Sequence, residues 1–334
     1  MAGGLNRESD AMRFQHLVAA TMIAVVNPAA IEAQAEQQAA PDFSVVTLGT
    51  GAPPPLLTRF GPATLVRAGK ETLLFDAGRG AAQRLWQAGV RIGSLDAVFL
   101  THLHSDHIVG LPDVWLTGWL PGAFAQRNTP FRVWGPEGTK GLMAGLEQAY
   151  AWDIKARIAD TNLPKEGIAS AVIEILEGVI YERNGVKVTA FDVDHGPLLK
   201  PAFGFRIDYD GRSVVLSGDT KFSENVIKFA VGVDLLIHEV AIVNDELLRT
   251  PIFQAVLAHH TKPEEAGIVF SRTEPKLAVY SHVLLYGSPQ FPAPTERDLV
   301  HKTRTNYSGP FVVAEDMMRF NIGRTGVNVV QPER

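Results

Sequence analysis

Between Thr101 and His107 the chain reads THLHSDH, and His102, His104, Asp106 and His107 can each bind a cation or move a proton. They follow the apolar run Leu95 to Leu100. On an extended backbone His102 and His104 project to the same side. Asp106 and His107, at the turn into the next segment, can then face a second point nearby. The chain has no cysteine, which excludes disulfides, thiolate zinc sites and Cys nucleophiles. Any metal must therefore be held by His, Asp or Glu, donors that suit zinc, iron or manganese. Burying three imidazoles and a carboxylate together without a counter-ligand would be costly, so this stretch predicts a cation site at the end of a buried strand.

The elements that must position such a site can be read on either side of it. FSVVTLGTGAPPP predicts a strand and a Gly/Pro turn, and ATLVRAGKETLLFDAG a hairpin over Ala63–Val66 and Thr72–Phe75. AAQRLWQAGV has helical spacing, LDAVFLTH and TPFRVWGPEG read as strands, and TKGLMAGLEQAYAW as a helix. The second half has the same grammar. GVKVTAFDVDH, AFGFRIDYDGRSVVLSGDT with its Asp210-Gly211 turn, VDLLIHEV and PKLAVYSHV are strands, KPEEAGIVFSR is a helix, and GPFVVAEDMMRFNI is a closing strand-like run. Strands with helices between them in both halves predict an α/β fold. Its form is an αββα sandwich, two mixed β-sheets face to face with helices on the outer faces.

THLHSDH matches the T-H-x-H-x-D-H motif of the metallo-β-lactamase superfamily, and the chain resembles its ribonuclease Z and arylsulfatase-like branch. LGTGAPPP, LLFDAGRG, SGDT and YSHV stand where that family has its opening loop, its supporting Asp, its bridging Asp and its last His. The resemblance implies that His102, His104 and His195 bind one metal ion. Asp106, His107 and His282 bind a second, and Asp219 bridges the two. The local sequence agrees: His195 follows VTAFDVD, Asp219 follows SVVLS and His282 ends LAVYS, each at a strand end. Asp76, after TLLF, is placed to accept the free N–H of a metal-bound imidazole. The implied cofactor is a pair of divalent ions, Zn2+ before Mn2+ or Fe. A water bridging two such ions loses its proton near neutral pH and becomes a nucleophile, so hydrolysis is the expected reaction.

Further along, LLIHEVAIVNDE and AHHTKPEEAG resemble the ribonuclease Z pairing of an E-A-T-like with an H-S-T-like motif. The register on HHTKPEEA puts His259 at the general-acid position with Glu239 orienting it, and leaves the adjacent His260 as the alternative. Asp106, Asp76, Glu239 and His259 are thus the expected catalytic groups beside the ligands. His238, inside a strand, reads as a hydrogen-bonded core residue, and His16 and His301 lie outside the site. Trp115 and Trp119, spaced i,i+4, and Phe124 read as core or as an apolar wall for a hydrophobic leaving group.

The segment from Leu146 to Gly178 has mixed charge and no basic, Gly/Pro-rich arm of the kind that grips tRNA in ribonuclease Z, and SHVLLYGS departs from that family around its last His. The formal charge is −5 over 334 residues, with 46% hydrophobic and 20% charged, which argues against a polyanion-binding surface. Residues 1–35 read as a secretory signal peptide: Arg13, an apolar stretch Leu17–Val26 too short to span a membrane, and Ala33-Gln34-Ala35 as the cleavage site. Met12 is an alternative start, 36–42 a linker, and 43–330 the hydrolase domain. The expectation is therefore an exported, periplasmic or secreted dinuclear zinc hydrolase of a small-molecule phosphodiester or sulfate ester, with no nucleic-acid partner and a homodimer left open. The alternatives are a lactonase or β-lactamase-type acyl hydrolase and a ribonuclease Z-like tRNA endonuclease.

Overall fold

The computed structural model describes residues 41–332. The expected signal peptide and most of the linker lie outside the described residues. The chain starts with strands β1 (Phe43–Gly49), β2 (Ala63–Ala68), β3 (Glu71–Phe75), β4 (Ala97–Phe99), β5 (Phe131–Gly135) and β6 (Ser170–Glu174). It continues with β7 (Gly178–Arg183), β8 (Val186–Val193), β9 (Ala202–Tyr209), β10 (Arg212–Leu216), β11 (Leu235–Val243), β12 (Leu277–Tyr286) and β13 (Phe311–Val313), then β14 (Met318–Ile322) and β15 (Val327–Val330). One sheet has the order β15-β14-β1-β2-β3-β4-β5-β6 and the other β13-β12-β11-β10-β9-β8-β7. Both mix parallel and antiparallel neighbours.

Alternation along the strands builds the layers. Ala97 and Phe99 face the other sheet, whereas Val98 and Leu100 face the helices outside. The space between the sheets is filled by Phe75, Phe99 and Phe205 with aliphatic neighbours. The outer face of the second sheet is covered by helices Glu224–Ala230 and Pro263–Thr273, whose Val226, Val269 and Phe270 are buried. This is the expected αββα sandwich.

Local departures have identifiable causes. The predicted helix from Thr139 ends at Ala149, because Tyr150 (φ −100°, ψ 9°) leaves helical geometry, and a second helix, Ala151–Thr161, starts after it. The closing run is cut in two: β13 joins the second sheet and β14 the first. Between them the buried Asp316 takes hydrogen bonds from Thr50 N (2.9 Å), Thr50 Oγ1 (2.8 Å) and Phe60 N (2.7 Å). A carboxylate inside an apolar run thus ends one strand and clamps both ends of the loop 50–60. Trp115 and Trp119 are core, their indole N–H groups donating to Ile168 O (2.9 Å) and Pro164 O (2.8 Å).

Phe99 is fully buried, stacked on Phe75 (4.9 Å) and Trp134 (5.4 Å) with Tyr181 edge-on. Phe99→Ala should cost about 3–5 kcal/mol of unfolding free energy, read as a lower urea midpoint at unchanged slope.

Candidate metal centre and active site

The candidate ligands come from the carboxyl ends of strands in both sheets, the edge where open α/β sheets place their ligands. β3 delivers Asp76 and the neighbouring parallel β4 leads to His102. In the other sheet β8 leads to His195, β10 to Asp219, and β11 and β12 carry Glu239 and His282. The backbone here is not relaxed: Asp76 (φ 57°) and His282 (φ 48°) hold left-handed conformations. Gly218 (φ 61°) precedes Asp219, and a Cβ there would lie 2.4 Å from Phe203 O. Between β11 and β12 the register shifts, so that Glu239 alone is opposed by both Ser281 and His282. This bulge re-aims both side chains toward the edge.

His102, His104 and His195 form one cluster of ligand atoms within 4.8 Å of one another, and Asp106, His107 and His282 form a second. Asp219 lies between them: its Oδ2 is 3.3 Å from Nε2 of His107 and of His282, 3.7 Å from that of His195 and 3.9 Å from that of His102. Outer partners decide which ring nitrogen keeps its proton. His107 Nδ1–H donates to Asp76 Oδ2 (2.7 Å), and His195 Nδ1–H to the His259 carbonyl (2.9 Å). Thr101 Oγ1 donates to Asp76 Oδ2 (2.8 Å) and so accepts from His102 Nδ1 at 3.0 Å. The Nε2 lone pairs of all three then face the centre. That of His107 is buried with no hydrogen-bond partner among the described residues. Crowded, desolvated lone pairs beside two carboxylates are the donor set of a pair of cations, and these residues fit one.

The electrostatics agree for the first cluster and for Asp219, whereas at His107 burial is overcome by the Asp219 and Asp76 carboxylates, which lift the imidazole well above its usual range. Burial, then the neighbouring His107, pushes His102 well below the usual imidazole range, and burial likewise lowers His104 and His195. For Asp219 burial opposes ionisation, but His282 and His107 outweigh it and hold the carboxyl well below its usual range. Neutral imidazoles and ionised carboxylates are the forms that bind metal.

Glu239 corrects one expectation. Its Oε2 is 3.2 Å from Nδ1 of His260, not of His259, while Oε1 accepts from Thr220 N (3.1 Å) and Thr261 N (3.0 Å). Burial pulls the His260 imidazole down, but the Glu239 carboxylate overrides it and lifts the group to about 9. His259 instead stands half-buried at the rim, its carbonyl orienting His195 and its ring against Gly196, where a Cβ would lie 2.8 Å from His259 Cδ2. His238 is core, with Nδ1–H donating to Glu239 O (2.6 Å). Thr101 was not singled out, although its place between β4 and His102 is the signal for it. Pro53, Ile252, Val256, Leu284 and Tyr286 were also passed over. They line a cavity of about 270 Å3 shared with His104, Asp106, His195, Asp219, His259, His260 and His282, and they come from three separate segments with no common motif.

Known proteins resemble this chain. A family model described as the β-lactamase superfamily domain matches residues 71–283. A ribonuclease Z of Mycobacterium marinum is 35% identical over 285 residues, 84% of this chain and 99% of that protein. One of Mycobacterium bovis is 36% identical over 285 residues, 84% and 98%. Among solved structures, human tRNase Z, short form, superposes with a TM-score of 0.63 at 24% identity (84% of this chain, 99% of that one). The metallo-β-lactamase-fold protein YhfI of Bacillus subtilis gives 0.62 at 20% (83% and 98%). At these identities the structures show the fold alone.

The ribonuclease relatives overturn two expectations, that nucleic acid is no partner of a small-molecule hydrolase and that the protein is exported. The first rested on net charge, which sums the whole surface, whereas a phosphodiester bound here would meet the local field of a cation pair. The second rested on a stretch outside the described residues.

Asp76→Ala should leave the fold intact and weaken metal binding by about 10–100-fold, measured by competition with a chelating dye.

Proposed function

Because the chain belongs to the metallo-β-lactamase superfamily, in its ribonuclease Z branch, and is a metal-dependent hydrolase, we propose that it cleaves phosphodiester bonds in RNA, with His260 protonating the departing oxygen. The observation that carries this reading is the Glu239–His260 pair, buried beside the ligand clusters. The His260 ligand atom lies within 4.8 Å of those of His195 and Asp219, so a phosphate held at the centre would sit against the imidazole. A ribose alkoxide is a poor leaving group, and a positioned proton donor lowers the barrier to its departure.

His102, His104 and His195 would hold one cation, Asp106, His107 and His282 the other, and Asp219 both. Two divalent cations held there would lower the pKa of a water and neutralise the charge that grows on the phosphoryl oxygens. The remaining work falls to the chain. Asp76 keeps the His107 proton on Nδ1, Thr101 does the same for His102, and the His259 carbonyl for His195. Glu239 keeps His260 Nδ1 protonated and its charge stabilises the imidazolium, leaving Nε2–H for the oxygen that departs. Two backbone N–H groups on the other Glu239 oxygen fix the carboxylate in place.

On metal-loaded protein His260→Ala should lower kcat on RNA by about 10²–10⁴, and Glu239→Gln by less. The same variants should lose far less on bis(p-nitrophenyl) phosphate, whose leaving group departs without a proton. Equal losses on both substrates would remove His260 from the acid role. No cleavage of either by the wild type, with turnover of an aryl sulfate or a lactone, would overturn the reading.

A further inference from the structure

The helix Pro251–Leu257 reads PIFQAVL, yet none of its residues is fully buried, and Ile252 is 66% exposed. Val256 and Leu257 pack beside Leu284 and Tyr286, but Ile252 is left at the water's edge without an explanation in the fold, since its hydrophobic surface would be better covered. Its position supplies one. Ile252 and Val256 line a cavity of about 270 Å3 together with Leu284 and Tyr286 of β12 and Pro53 of the clamped loop, and the same cavity is lined by candidate metal ligands and by His259 and His260. The helix and β12 are tied together, Phe253 packing on Tyr286 at 5.7 Å between ring centroids. No lysine or arginine lines this cavity.

We propose that the apolar part of this cavity is a base-binding subsite: it receives the planar heteroaromatic base of a nucleotide flanking the scissile phosphodiester, laid against Ile252 and the ring of Tyr286. The inference rests on the phosphodiester reading and adds what that reading leaves open, namely what selects the substrate once the phosphate is held. The occupant follows from continuity with the metal centre. A nucleotide whose phosphate lies at the ligand cluster must put its sugar and base within a few ångströms of it, and this cavity opens directly from that cluster with room for a single base. Base stacking on an aromatic ring is tolerant of sequence and does not release counterions, unlike lysine or arginine contacts to phosphate. Discrimination at this subsite should therefore be insensitive to salt. The clamp on the loop 50–60 through Asp316 gains a purpose as well, because it fixes Pro53 at the cavity wall.

The test uses metal-loaded full-length protein and two short RNA oligonucleotides, one complete and one abasic on both sides of the cleaved bond. The wild type should show a KM about tenfold lower for the complete oligonucleotide, the scale of one stacked base, and this ratio should hold from low to high salt. Ile252→Asp, at an exposed position that leaves the core untouched, should collapse the ratio toward one, as should Tyr286→Ala. Tyr286→Phe, which keeps the ring, should preserve it. A wild type that cleaves both oligonucleotides with the same KM overturns the subsite while the phosphodiester reading stands. A ratio that persists in Ile252→Asp and Tyr286→Ala overturns it too. If neither oligonucleotide nor bis(p-nitrophenyl) phosphate is cleaved, the phosphodiester reading falls and takes the subsite with it.

Discussion

The carboxylate of Asp219 is buried with four imidazole nitrogens within 4 Å of one of its oxygens, and the rest of the site is arranged to make that crowd tolerable. Nitrogen lone pairs facing one another in a dry interior are destabilising unless a cation fills the space between them. A cation can do so only if each ring keeps its proton on the outward nitrogen. Three different acceptors enforce that here: the Asp76 carboxylate, the Thr101 hydroxyl and the His259 carbonyl. None of them need touch the metal. Asp76 and Thr101 are placed by strand ends and His259 by the turn after the helix Pro251–Leu257, so the two sheets and that helix must pack in register for the inner ring of donors to have the right tautomers.

That demand explains where the backbone departs from regular geometry. A sheet running smoothly past its edge would point alternate side chains to opposite faces. Bringing Glu239 and His282 to one edge takes a bulge between β11 and β12, and His282 and Asp76 both adopt left-handed conformations. Such residues cost of order 1–3 kcal/mol each. They persist because the strands behind them are anchored in buried aromatic and aliphatic layers, where Phe75, the residue before Asp76, is stacked on Phe99.

Much of this was legible in the sequence, and the exceptions share a cause. The first half of the candidate ligand set is local: His102, His104, Asp106 and His107 lie within six residues at the end of an apolar run. The sandwich was legible because strand alternation is also local. Which of His259 and His260 pairs with Glu239 turned on a one-residue register in a loop, and Glu239 lies on a strand 21 positions from His260. The closing run hid a sheet change because Asp316 finds its donors in the loop 50–60, more than 250 positions away. Net charge misled in the same way, as a global sum applied to a local encounter.

Two kinds of binding meet at this site and they scale differently. The cation pair would recognise phosphate through charge, which any phosphodiester carries, so it can accelerate a class of reaction but cannot choose among members of the class. Choice has to come from surface that touches what differs between substrates. Here the surface next to the reacting centre is apolar and lies on a helix, a strand and a loop that carry none of the ligands save His282, at the start of the same strand stretch as Leu284 and Tyr286. Chemistry and selection are therefore built from nearly separate parts of the chain. The ligand set can stay fixed by its tautomers and strand ends while the exposed Ile252 varies without disturbing the protons on the ligand imidazoles. A fixed centre and a variable wall are compatible within one fold, because the donors hang from strand ends while much of the wall lies on an exposed helix.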